Sequence, residues 1–339
     1  VTTTDFAELH HELRAVAADL LGRDRVVGWS TVVDAGWVGL EVPEPLGGAG
    51  ASFAEAAVIC QELGRAAAAS HYLGSAVLSV GMLNSLQGSE VRDALLADVA
   101  AGRTRLAAVI GGSFTLDADR RLTGRADFVP DADGADRLLV AACDASGADV
   151  VVAVEGLSVT EQPVLDETRR VGTVAADGIE VADAAVLRFA GNPAALAQRA
   201  AVAVACDSLG LAEAMLAATV SYAQTREQFG RPIGSFQAVK HACADMLVKV
   251  TVARNLVRDA VHAVATGGSD GADVDAAVAM AKSYTCAAAV DVVGKALQLH
   301  GGIGYTWESG IHVYLKRATF NRSLFGSPAA HRRHLAQRY

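Results

Sequence analysis

Arg226-Glu227-Gln228-Phe229-Gly230-Arg231-Pro232-Ile233-Gly234-Ser235-Phe236-Gln237 separates two long alanine-rich runs, Ala194 to Thr225 and Ala238 to Ala265. Both runs have helical character, and Gly230, Pro232 and Gly234 interrupt it. The stretch therefore reads as a connection between two helices. Arg226 and Arg231 lie in it, ahead of a helix start whose first backbone N–H groups have no partner within the helix. Guanidinium groups beside free N–H groups suit a pyrophosphate. The same residues also suit a solvated inter-helix turn, and composition alone leaves both readings open.

A second stretch, Gln298-Leu299-His300-Gly301-Gly302-Ile303-Gly304-Tyr305, ends a later helical run. It follows a helix and not a strand, so its glycines are no dinucleotide fingerprint of the Rossmann kind. Taken together, R-x-Q-F-G-x-P-I-x-x-F-Q and Q-x-H-G-G-x-G-Y resemble the C-terminal domain of acyl-CoA dehydrogenases. The N-terminal part carries a matching signal. Gly36-Trp37-Val38-Gly39-Leu40-Glu41-Val42-Pro43-Glu44, then Gly47-Gly48-Ala49-Gly50 and Glu62-Leu63-Gly64-Arg65, are similar to the family's N-terminal helical domain. Trp37 and Leu40 read as core anchors and the glycines as a tight turn, so this segment identifies a fold and carries no chemistry.

The order of elements agrees with that resemblance. Leu9, Leu13, Val16, Ala17 and Leu20 recur at helical spacing over Phe6 to Leu21. Ser52 is a candidate N-cap, with Glu55 three residues on, for a helix reaching Arg65. Helical patterns continue to about Ala101. Arg105 to Ile110, Leu138 to Ala142 and Asp149 to Val154 are apolar and β-prone, with turn clusters such as Asp131-Ala132-Asp133-Gly134 between them. After Gly191-Asn192-Pro193 the chain returns to helix, with a hinge expected at Gly267 to Gly271. The expected fold is mainly α with a small β domain. Residues 1–102 form an N-terminal helical domain, 103–188 a middle β domain and 189–339 a C-terminal four-helix bundle.

Bulk properties exclude several function classes. The chain has 339 residues, 52% of them hydrophobic, enough for two or three cored domains. With 29 basic and 38 acidic residues the formal charge is −9, poor for nucleic-acid binding. No run reaches the roughly 18 uncharged apolar residues of a membrane span. Val1-Thr2-Thr3-Thr4-Asp5 shows no basic region ahead of an apolar core, so no signal peptide is expected. Cys60, Cys143, Cys206, Cys243 and Cys286 are scattered and odd in number, and read as reduced thiols of a cytoplasmic protein. Metal-ligand spacing is absent. Adjacent His10 and His11 do not share a helix face and read as solvated.

The family resemblance implies α,β-desaturation of an acyl-CoA. A carboxylate removes the α proton, and the β hydrogen leaves as hydride to FAD. In the family that carboxylate comes from one of two places. One is a loop matching Leu324-Phe325-Gly326-Ser327-Pro328, where Gly326 takes the glutamate's position. The other is a helix position that counts back from Arg226 to Ala200, with Gly210 falling on a glycine the family usually has. The flavin-ring segments are altered as well. Val109 to Thr115 does not show the family's T-E-P-x-x-G-S-D pattern, and Phe128-Val129-Pro130 replaces its W-I-T. The residues that the resemblance assigns to the adenosine and pyrophosphate end of FAD survive: Arg226, Gln228, Phe229, Gln237, Gln298, Gly301 and Gly302. In family tetramers this patch serves the FAD held mainly by a neighbouring subunit.

The resemblance therefore implies the non-catalytic subunit of a heteromeric, α2β2 acyl-CoA dehydrogenase. A partner subunit would carry the catalytic glutamate and take the acyl-CoA, and an electron-transfer acceptor would reoxidise the flavin. Phe325-Gly326-Ser327-Pro328-Ala329 with His331-Arg332 is similar to actinobacterial chains that shorten the cholesterol side chain. The alternatives are a self-sufficient homomeric enzyme with a displaced base, Asp207 or Glu308, and a scaffold that binds neither flavin nor CoA.

Overall fold

The computed structural model describes residues 3–22, 24–267 and 271–337. The alanine-rich runs become its longest helices: α6 (Ala194–Thr225), α7 (Gln237–Thr266) and α8 (Gly271–His300). Helix α6 is apolar on nearly every side, which marks a helix surrounded by protein. Ala200, Val204, Leu211 and Met215 are all buried. By length and mean hydropathy α6 and the Asp273–Tyr305 stretch could each cross a membrane, although charged residues interrupt both, as the sequence expectation holds. Their apolar windows are 83% and 61% buried inside the protein, which accounts for that composition. Gly267 ends α7 in the left-handed region at φ 73°, the conformation glycine supplies at a helix C-terminus. Gly268, Ser269 and Asp270, the centre of the expected hinge, lie outside the described residues. Helices α9 (Ile311–Ser323) and α10 (Pro328–Ala336) complete the bundle.

The N-terminal part holds α1 (Thr3–Leu21), α2 (Trp29–Asp34), α3 (Phe53–Ala66), α4 (Ser79–Asn84) and α5 (Glu90–Ala100). A capping box starts α3: Ala54 N–H donates to Ser52 Oγ at 3.1 Å, and Ser52 N–H donates to Glu55 Oε2 at 2.8 Å. Glu55 has a further partner that corrects the expectation for the histidine pair. His10 Nε2 lies 2.7 Å from Glu55 Oε1, so His10 ties α1 to α3 and is only half-exposed. Trp37 is buried as expected, and Leu40 is half-buried.

Helix α3 crosses α6 backbone against backbone. A Cβ on Gly64 would lie 2.0 Å from Asp207 O, and one on Gly210 would lie 1.9 Å from Gln61 O. Both crossing points therefore require glycine. Residues Tyr72–Leu78, just before α4, form a π-helical turn, and Gly74 N–H donates to Asp131 Oδ2 at 2.7 Å. This joins the N-terminal helices to the sheet.

The middle region is an eight-stranded sheet: β1 (Leu106–Val109), β2 (Ser113–Leu116), β3 (Arg121–Pro130), β4 (Arg137–Asp144), β5 (Asp149–Val154), β6 (Ser158–Glu161), β7 (Val171–Glu180) and β8 (Val186–Arg188). Its order is β6-β7-β3-β2-β4-β5-β8, and β1 pairs with β4 in parallel. The two faces follow the period of two along each strand. Leu106, Ala108, Leu139 and Val151 join the core of the helical parts. Ala107, Val109, Leu138, Val140, Val150 and Val152 form a second core on the opposite face.

Candidate functional site

A cavity of about 980 Å³ opens between the sheet and the C-terminal bundle. The sheet supplies Ile110, Phe128 and Pro130, α6 supplies Ala197 and Gln198, and α9 with the segment after it supplies Phe320 and Gly326. Gly326 thus borders the cavity, as a base position must. It sits at φ +100°, and a Cβ there would approach His331 Nε2 to 2.7 Å. The start of a longer side chain is therefore already occupied by the imidazole. The segment is also held from beneath. Buried Lys282 donates to Asn321 O at 2.9 Å and to Gly326 O at 3.1 Å. Burial pushes the Lys282 ammonium below its usual range, partly offset by Cys286.

Ala200 does not border this cavity. It is fully buried in the helical core, and α6 presents Ala194, Ala197 and Gln198 to the lumen instead. Its neighbour Arg199 pairs with Glu41 and donates to Val77 O at 2.7 Å, so it too is committed to the core. The two expected base positions are not brought together.

The Phe128–Pro130 segment offers few donors. Phe128 stands at φ +57° beside a register shift in the β3–β7 pairing, and its N–H donates to Gln162 Oε1 at 2.6 Å. Pro130 has no N–H to give. Two carboxylates remain on the wall. Asp127 accepts from Thr173 Oγ1 at 2.7 Å and from Arg125 at 2.9 Å, and these hold its carboxyl below the ordinary range. Asp275 Oδ1 accepts from Gln198 Nε2 at 2.5 Å.

Neither alternative base survives inspection. Asp207 is buried and bound on every side: Arg317 Nε at 3.0 Å, Arg169 at 2.9 Å and Asn321 Nδ2 at 2.6 Å. Burial alone would raise its pKa, but the two guanidinium groups and Asn321 hold it below the usual value. Arg317 also donates to Ala68 O at 2.6 Å and to Thr168 Oγ1 at 3.0 Å. Asp207 is therefore the hub of a contact among all three parts of the chain. Glu308 is exposed and lies off the cavity wall.

The second candidate region is the far end of the bundle. Arg226, Gln228, Phe229, Gln237, Gln298, Gly301 and Gly302 are all exposed, Phe229 to 92%. The ends of α6 and α8 meet there. The Tyr222 and His300 rings stack at 4.4 Å, and Tyr222 Oη donates to His300 O at 3.4 Å. Arg226 N–H closes α6 by donating to Tyr222 O at 2.8 Å, and Arg226 O accepts from Ile233 N–H at 2.8 Å. Between them runs a hairpin that pairs Gln228 with Arg231. Arg231 stacks on the Phe236 ring at 4.3 Å. The Arg226 guanidinium makes no side-chain hydrogen bond or ion pair among the described residues. A Cβ on Gly301 or Gly302 would meet nothing within 4 Å. An unneutralised cation, exposed amides and open backbone beside the start of α7 form a donor set that suits a pyrophosphate.

The profile of the acyl-CoA dehydrogenase N-terminal domain matches residues 2–103, and that of the C-terminal domain matches residues 194–339. Acyl-CoA dehydrogenase IpdE2 of Mycolicibacterium smegmatis is 32% identical over 345 residues, spanning 98% of this chain and 95% of the relative. The chain belongs to the acyl-CoA dehydrogenase family. Among solved structures, the ChsE4-ChsE5 complex from Mycobacterium tuberculosis contains a chain 27% identical, with a TM-score of 0.88, covering 99% of this chain and 97% of that one. A variant of the Tcur3481-Tcur3483 steroid ACAD is 28% identical, with a TM-score of 0.85, covering 98% and 97%. Both are two-component assemblies. The family's chemistry is oxidoreduction at a CH–CH bond, and its cofactor is FAD.

The exposed edge offers an unpaired guanidinium and exposed amides, and the Phe128–Pro130 wall of the cavity offers few free donors. His331 and Lys282 escaped the sequence reading. His331 lay within the quoted Gly326 segment, but only the fold turns it back onto Gly326.

Proposed function

We propose that this chain is the non-catalytic subunit of a heteromeric acyl-CoA dehydrogenase, an α2β2 assembly acting in the cytoplasm. The observation that carries the reading is how side chains sort by site. At the cavity the base position is glycine and the ring-facing N–H groups are spent or missing. At the exposed edge Arg226 stands without a side-chain partner among the described residues, beside exposed glutamines and open glycine backbone. A chain that keeps what a neighbour uses and lacks what it would need itself is suited to sharing a site.

In this reading a partner subunit supplies the glutamate and the rest of the flavin site. FAD, when bound, accepts the hydride that leaves the β carbon. This chain's residues bind and orient. Arg226 neutralises pyrophosphate charge, Gln228, Gln237 and Gln298 offer amide groups, and Gly301 and Gly302 let backbone approach closely. Phe229 and Tyr305, 92% and 73% exposed, would be covered by the partner. The substrate class is a bulky acyl-CoA, a steroid side-chain CoA ester, by analogy with the steroid ACAD relative. Electrons would then pass to an electron-transfer acceptor.

The test is flavin content and acyl-CoA dehydrogenation by the chain alone and with a candidate partner. A colourless lone chain, and an active pair holding about one FAD per heterodimer, is the expected result. A yellow lone chain that reduces an acceptor with an acyl-CoA would overturn the proposal.

A further inference from the structure

The cavity beside Gly326 has lost its base but not its space. Ala108, Gly111, Ala194, Ala197, Ala279 and Ala330 line it, and any larger residue at these points would begin to fill it. Its apolar surface is open, with Phe128 50% and Leu165 67% exposed. About 980 Å³ lies at the upper end of small-molecule sites.

The polar groups on the wall narrow the ligand. Among the described residues Lys316 alone of the lysines and arginines lines the cavity, and it is paired with Glu167 at 2.6 Å. Asp127 and Asp275 also face the lumen. An anion would find no free lysine or arginine and two carboxylates. His331 differs from these groups. Its Nε2 lies 3.1 Å from Phe325 O, and a carbonyl only accepts, so Nε2 carries the proton and Nδ1 is left as an acceptor. No described group satisfies Nδ1. Burial lowers the imidazole's pKa, which keeps it neutral at physiological pH.

We infer that this cavity is a second, non-catalytic binding site for an uncharged, bulky apolar molecule bearing a hydroxyl group, whose proton is accepted by His331 Nδ1. Its occupant is held and not turned over, because no carboxylate stands at position 326. Such a site would let a neutral polycyclic or lipid alcohol report on the assembly without entering the partner's active site. The inference rests on the two-subunit reading only for the composition of the sample.

Equilibrium dialysis of the purified complex with tritiated dehydroepiandrosterone, a neutral 3-hydroxysteroid, tests it. Its 3-sulfate and 3-deoxy analogues serve as comparisons. Saturable binding is expected, and both Ala197→Trp and Ala330→Trp should weaken it at least tenfold. One variant sits on α6 and the other on α10, and flavin content and melting temperature show which of them folds. His331→Leu should weaken the hydroxysteroid about twofold to tenfold, the range of one neutral hydrogen bond, and leave the 3-deoxy analogue unchanged. The sulfate should bind more weakly than the parent. Absence of binding, binding that neither folded tryptophan variant alters, or tighter binding of the sulfate would overturn the inference. Flavin content and dehydrogenation, read on the same sample, report separately on the two-subunit proposal.

Discussion

The cavity and the exposed edge are built from the same C-terminal bundle, yet they treat polar groups in opposite ways. Around the cavity, charges are spent within the chain: Lys316 on Glu167, Lys282 on two carbonyls, Asp127 on Thr173 and Arg125. At the edge, Arg226 is held through its backbone with its side chain turned outward, beside exposed glutamines. Buried polar groups must be paired to be tolerated, so a wall of satisfied groups is stable and inert. An unpaired cation in water costs nothing until a ligand or partner removes the water. The first region keeps a shape and the second keeps a valence.

The largest effect belongs to the interior. Asp207→Ala would leave Arg317 and Arg169 buried without their common partner. Removing one member of a buried ionic cluster costs about 3–5 kcal/mol, which chemical denaturation of the lone chain would read. The pH dependence follows from the sign of the shift. Asp207's carboxyl is depressed in the folded chain, so its contribution is full above the unfolded-state carboxylate pKa. It is lost as pH falls through the folded value, and the variant should show a flatter acid limb. A variant that kept its stability but lost dehydrogenation would return Asp207 to the list of bases.

Arg226→Ala reverses the pattern. The side chain is exposed and unpartnered, so the lone chain's stability should change by less than about 0.5 kcal/mol. In the complex the lost charge-assisted contacts, about 1.5–3 kcal/mol, would weaken FAD roughly 10- to 100-fold in a titration of flavin fluorescence. Unchanged flavin affinity would reduce the edge to a solvated turn and favour the scaffold reading.

Gly302→Val sharpens the same point with a smaller effect. Its Cβ meets nothing within 4 Å in this chain, so folding should be untouched. Any loss of flavin in the complex, expected to be a few-fold, would then measure what approaches from outside. Melting curves of the lone chain and flavin content of the pair give the two readings.

The two regions also differed in how far the sequence disclosed them. The edge is made of contiguous motifs, and the helix boundaries at Thr225, Gln237 and His300 follow from glycine and proline punctuation. The capping box at Ser52 and the strand at Asp149–Val154 are local in the same sense. The cavity is made of distant contacts. Gln198 meets Asp275 across 77 positions and Lys316 meets Glu167 across 149, and in the core beside it Asp207 meets Arg317 across 110. No local pattern announces such pairs, which is why Asp207 could pass for a free acid. Ala200 shows a different failure. Counting along a helix gives a position but not its facing direction, and α6 turns Ala200 into the core.

The sharpest test of the cavity predicts no gain at all. Gly326→Glu places a carboxylate where the family resemblance puts the base, and in a self-sufficient site it should revive turnover. Here the new Cβ would start 2.7 Å from His331 Nε2, in a backbone conformation of φ +100° that side chains rarely adopt. The segment has little room to yield, because Lys282 holds Gly326 O and Asn321 O from the buried side. Even with the carboxylate in place, Pro130 and the spent Phe128 N–H leave the ring position short of donors. The lone variant should therefore show no flavin and no acyl-CoA dehydrogenation, and Gly326→Glu with His331→Ala should differ from it only in stability. Activity in either would mean that a flavin site persists in this cavity, and the division of labour between the two regions would have to be redrawn.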